Sequence, residues 1–98
     1  MNTVNLVGQL IDKRDYKETE KGVIIRATVE TKNADKEGNV YTEQIPFVAF
    51  NNAAKALNVI EVGNWITVLG KIKMNKFESQ GEMRITTEVH GFQFGAIL

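Results

Sequence analysis

A two-residue alternation of apolar and polar side chains runs through most of this chain and breaks clearly in only one place. Period two puts every second side chain on the same side of an extended backbone, so the pattern specifies half-buried β-strands. Val4 and Leu6 flank Asn5 before Gly8 interrupts the run. Over residues 23–31, Ile25, Ala27 and Val29 share one face, while Arg26, Thr28 and Glu30 share the other. Residues 40–50 bring Ile45, Phe47 and Ala49 together, and residues 65–77 do the same for Ile66, Val68, Ile72 and Met74. Residues 83–94 form a fifth run, and the apolar ending Phe94-Gly95-Ala96-Ile97-Leu98 reads as packed to its last residue.

The separators have turn chemistry. Glu20-Lys21-Gly22, Glu37-Gly38-Asn39 and Ser79-Gln80-Gly81 each place Gly where a positive φ is needed. Gly8 and Gly70 lie inside strand runs, where they predict the sharp bends of a small barrel's corners. Pro46, which has no N–H, is expected at a bulge or on an unpaired side.

The one break is residues 51–63. Ala53, Leu57 and Ile60 recur at helical spacing, with Asn51 or Asn52 as the expected N-cap and Gly63 as the expected end. Three strands, a short helix and two strands make an all-β chain with one helical insertion. That order matches the OB-fold, a five-stranded, partly open Greek-key barrel with a helix between strands 3 and 4 plugging one end. At 98 residues, 43% of them apolar, the expectation is a single domain over 1–98.

Composition removes several function classes. There is no Cys, which excludes disulfide frameworks, thiolate zinc sites and thiol catalysis. His90 is the only His and Ser79, on a turn tip, the only Ser; Glu18 and Glu20 read as solvated loop charges. No phosphate-binding glycine loop or zinc pattern is present, so no cofactor, no metal and no enzymatic activity are expected. Residues 1–8 lack a basic start followed by an apolar run, and no stretch approaches the ~18 apolar residues of a membrane span. The expectation is a cytoplasmic protein without membrane contact.

Several fragments resemble the bacterial and phage single-stranded DNA-binding proteins, the SSB family. Met1-Asn2-x-Val4-x-Leu6-Val7-Gly8-x-Leu10 is similar to the family's first strand, and Phe47-Val48-Ala49-Phe50 to the end of its third. The stretch from Phe50 through Gly63 to Gly70, then Lys71-Ile72-Lys73 and Phe77, fits without gaps, and Thr86-Thr87-Glu88-Val89 is similar to its last strand. The resemblance implies sequence-independent binding of single-stranded DNA in replication, recombination or repair, as a homodimer or homotetramer. Relatives commonly carry a flexible tail with an acidic tip that recruits partner proteins. This chain stops at Leu98, so the resemblance implies a short tailless form, of phage or mobile-element type, or a shortened chain; no acidic-tip recruitment is expected.

Binding a single strand needs flat side chains for bases and positive charge for phosphates. On an OB barrel the site lies on strands two and three and the first and fourth connecting loops. Phe50 and Phe77 match family stacking positions. Lys71 and Lys73 alternate with Ile72 and so project outward, Lys76 follows beside Phe77, and Arg26 projects from strand two, as Lys32 does if that strand persists. Arg84 is expected to face Lys73 or its neighbours. Tyr41 and Tyr16 flank predicted loops, Lys13 and Arg14 lie in the first loop, and Trp65 suits an interface or rim. Two departures count against strong binding: many relatives have an aromatic residue where Gln44 stands and a basic one where Pro46 stands.

The charge balance sharpens this. Twelve Lys and Arg oppose twelve Asp and Glu, so any attraction for DNA must come from distribution. Lys71-Ile72-Lys73-Met74-Asn75-Lys76 holds three cations and no acid, next to Phe77. The reading is modest binding along a narrow path with a shallow salt dependence. Two alternatives remain: an OB-fold accessory protein for primosome assembly or replication restart, and a structural protein-interaction module that has lost DNA binding. Gln44, Pro46 and the zero net charge favour the latter.

Overall fold

The alternating runs become strands β1 (Val4–Thr19), β2 (Gly22–Ala34), β3 (Val40–Phe50), β4 (Trp65–Ser79) and β5 (Glu82–Ala96), with helix α1 (Asn51–Asn58) between β3 and β4. These come from a computed structural model that describes residues 1–97; Leu98, the end of the predicted apolar terminus, lies outside the described residues. The strands neighbour one another in the order β1-β2-β3-β5-β4, and β4 pairs back onto β1. The expected five-stranded barrel is therefore present, with its helix in the expected place.

The ring is closed, where a partly open one was expected. One strand serves two neighbours: the first part of β1 pairs with β4, the remainder with β2. The last seam is the short parallel pairing of Phe47, Val48 and Ala49 with Val89, His90 and Gly91. Closure crowds the corners. A Cβ on Gly8 would collide with the carbonyl oxygen of Glu30, and one on Gly70 with that of His90, so both positions require glycine.

Burial follows the alternation through the barrel. Ile25, Ala27 and Val29 of β2, Phe47 and Ala49 of β3, and Ile66 and Val68 of β4 enclose the core with Leu10. Ala54 and Leu57 of α1 complete it, so the helix is the plug.

The helix ends are held by tertiary contacts, not by the expected caps. Phe50 occupies the N-cap position and no side chain caps the first turn. Asn51 instead turns its Oδ1 to accept the Val23 amide at 3.2 Å, tying the helix start to β2. The helix stops at Asn58, well short of Gly63. Lys13 meets its end: Nζ donates to the last helical carbonyl, Asn58, at 2.9 Å and to that of Ile60, two residues beyond, at 2.6 Å, placing a cation where the helix dipole is negative.

Two further expectations change and one is resolved. Lys13, Arg14 and Tyr16 lie on β1, not in a loop, because that strand continues through two bulges to Thr19. Pro46 pairs with Thr28 in unbroken register, not at a bulge, and it takes the other expected placement, with one side unpaired, since β3 meets β5 only from Phe47 onward. Ile72 and Met74 share the parity of Ile66 and Val68 but are 43% and 51% exposed. Beyond Gly70, β4 and β5 outrun the ring as a two-stranded arm that ends in the Gln80-Gly81 turn. Both turn residues have positive φ, 52° and 79°, as a tight hairpin demands.

Candidate nucleic-acid interface

The register assigns each candidate to a face. On β2 and β3 the residues whose parity is opposite to the barrel core are Arg26, Thr28, Pro46, Val48 and Phe50; Arg26, Pro46 and Phe50 are exposed, whereas Thr28 and Val48 are buried. The parallel pair Val48–His90 carries this face onto β5, where Glu88 and Arg84 share the parity of His90. The antiparallel pairs Lys71–His90, Lys73–Glu88 and Phe77–Arg84 carry it onto β4. One outward surface thus runs from Phe50 to Phe77.

Phe50 and Phe77 are 43% and 44% exposed, enough to leave ring area open to a base. Phe50 is braced from one side by His90, ring centroids 5.2 Å apart and tilted by 55°. Lys71 and Lys73 are exposed and, among the described residues, make no ion pair. Arg84 lies across from Phe77, not Lys73, and meets Glu82 only at 3.8 Å.

Three of the predicted residues are elsewhere. Lys76 pairs with Ile85 and shares the parity of Ile72 and Met74, so it lies on the opposite side of the arm from Phe77. Tyr41 pairs with Asn33 and has the parity of Ile45 and Phe47, opposite that of Phe50. Lys32 has the parity of Arg26 but lies six residues, about 20 Å, further along β2, with its ammonium 5.7 Å from the centre of the Trp65 ring.

Beside Arg26 lies a groove of about 150 Å³, lined by Arg14, Arg26, Pro46, Val48, Thr87 and Glu88 among others. Both arginines are already engaged. Arg14 donates to Asp12 at 2.8 Å and to Thr28 Oγ1 at 3.2 Å, and Arg26 donates to Glu88 Oε2 at 3.2 Å. Glu88 Oε1 also accepts from the Asn75 side-chain amide. The Asn75 and Arg26 hydrogen bonds hold the Glu88 carboxyl below the usual carboxylate range, against the opposing effect of burial. His90 Nε2 is buried 3.7 Å from the same oxygen, with no hydrogen-bond partner among the described residues.

Sequence reasoning set aside His90 and passed over Glu88 and Asn75. Their parity on β4 and β5 was readable. Their place beside Phe50 and Arg26 was not, since it depends on the parallel seam.

A closed five-stranded barrel plugged by a helix, with aromatic and basic side chains exposed on one outward face, defines the OB class of binding proteins. Residues 1–96 match the model of the Single-strand binding protein family, and the chain belongs to that family, whose members bind and do not catalyse. Similar solved structures include a deletion mutant of the single-stranded DNA binding protein from Thermus aquaticus. It aligns with a TM-score of 0.76 and 19% identity over 100% of this chain but 51% of its own, so this chain spans about half its length. The small single-stranded DNA-binding protein from Streptomyces coelicolor aligns with a TM-score of 0.64 and 19% identity, covering 98% of this chain and 94% of its own. Identities this low establish the shared fold. No match was found among curated protein sequences. Among the described residues no helix is long and apolar enough to cross a membrane.

Proposed function

We propose that residues 1–98 act as one OB domain that coats single-stranded DNA without sequence preference, in replication, recombination or repair in the cytoplasm. The observation that carries this is the continuous outward face on which exposed Phe50 and Phe77 bracket Lys71 and Lys73. Bases stack on the two rings, and phosphates are neutralised by the lysines and Arg84. The single strand runs from β3 across β5 onto the arm of β4. Binding removes strands from base pairing by mass action, with no chemical step.

A homodimer or homotetramer is supported by a second surface. Val7, Trp65 and Phe92 are large apolar side chains exposed on β1, β4 and β5, and Ile97 is exposed just past the end of β5. Exposed large side chains gathered in this way mark interaction sites.

Titration of labelled oligo(dT) at two salt concentrations, with the mass of the complex recorded, tests both statements. Three phosphate contacts give a log–log salt slope of about −2, at about 0.7 per contact on a single strand. Absence of binding at low salt would refute the DNA reading, and a monomeric mass at working concentration the oligomeric one.

A further inference from the structure

The groove beside Arg26 contains an acid where a phosphate path calls for cations. Glu88 reaches over β3 to Arg26, past Val48, and the two side chains are 31% and 44% exposed. Its other oxygen is held by Asn75. Such a partly exposed pair is weak, because water screens it and both side chains lose freedom to form it. A phosphate offers the same guanidinium a geometry at least as good. The Arg26–Glu88 contact is therefore exchangeable, whereas Glu88 itself stays in place through Asn75.

We infer that Glu88 is a resident counter-ion that occupies Arg26 in the free protein and that a DNA phosphate must displace, so that this one carboxylate limits affinity. The inference rests on the single-stranded DNA reading above. It gives the face beside the Phe50–His90 pair a bound cation that is released only when a phosphate arrives. It also accounts for a near-neutral protein that keeps arginines in its groove: they are held in reserve, and Lys71 and Lys73 make first contact.

The test is Glu88→Gln, which keeps an oxygen for Asn75 and removes the charge. Oligo(dT) affinity is measured across a salt series, with a thermal melt to confirm folding. Affinity rises about three- to ten-fold at low salt, the size of one near-surface charge interaction. The salt slope steepens by about 0.7, because in the wild type the displaced Glu88 carboxylate regains a salt cation that offsets the one its phosphate releases, and the glutamine regains none. A merely structural role for Glu88 would lower affinity and leave the slope alone. Should Glu88→Gln fold poorly, Arg26→Gln in the wild-type background supplies the second arm: removing an arginine already held by Glu88 must cost less oligo(dT) affinity than Lys73→Gln, whose cation makes no ion pair among the described residues. An equal or larger cost for Arg26→Gln, or an unchanged slope in folded Glu88→Gln, overturns the inference while wild-type binding stands. A wild type that fails to bind oligo(dT) overturns the DNA reading and this inference with it.

Discussion

Phe77→Ala separates a functional ring from a structural one. Phe77 sits on the arm, outside the barrel core, and is 44% exposed. Full burial of a Phe contributes about 1.5–3 kcal/mol, so truncating a ring only about half buried costs roughly 1 kcal/mol of stability. One stacked base contributes about 1–3 kcal/mol. At 1.4 kcal/mol per decade that is a loss of about 5- to 150-fold in affinity. Because the ring carries no charge, the salt slope must stay where it is. Anisotropy of labelled oligo(dT) measured at about 50 mM salt, beside a urea melt, reads both quantities on one sample. Phe77→Trp retains affinity and adds an indole whose emission responds to a stacked base. A folded Phe77→Ala protein that binds within two-fold of the wild type would remove Phe77 from the interface and break the path drawn from β3 to the arm.

Other consequences concern the barrel and its loops. Gly70→Ala forces a methyl group against the His90 carbonyl, backbone against backbone, and should cost about 1–3 kcal/mol in a denaturant melt; a neutral result would mean that the corner is not tight. Leu57→Ala empties the middle of the helical plug, where the side chain is fully buried, and should cost about 2–5 kcal/mol, with the barrel's oligo(dT) affinity falling only as folding does. Asp35 accepts the backbone amide of Asn39 and also that of Glu37, which holds its carboxyl below its ordinary value of 3.8. A depressed carboxyl stabilises the fold above its unfolded pKa, and that support is lost as pH falls through the folded value. Amide exchange at Glu37 and Asn39 should therefore accelerate below about pH 4, and an Asp35→Ala variant should show fast exchange there at every pH.

Much of the architecture was legible because alternation is a local property. Ile25, Ala27, Val29 and Phe47 declared their faces without reference to any partner, and glycines in three turns announced positive φ. Ile72 and Met74 show the limit: their parity was correct, but parity cannot say whether a strand has run past the ring that would bury it. Lys76 follows the same rule, since a residue next to Phe77 in sequence on a strand lies on the opposite face. The helix ends are not legible in the local sequence because their partners, Lys13 and Val23, come from strands far away in sequence.

The sequence by itself determined five strands, one helix, their order, and the outward placement of Phe50, Phe77, Lys71 and Lys73. Backbone pleat and turn conformation act over two to four residues, so a linear reading suffices for them. Tertiary structure alone decided that the ring closes, that β3 meets β5 in parallel at Phe47–Val89, and that Arg26 is held by Glu88 from 62 residues away. Those choices depend on which strands meet, and a free energy shared by the whole barrel leaves no trace in any short window of residues.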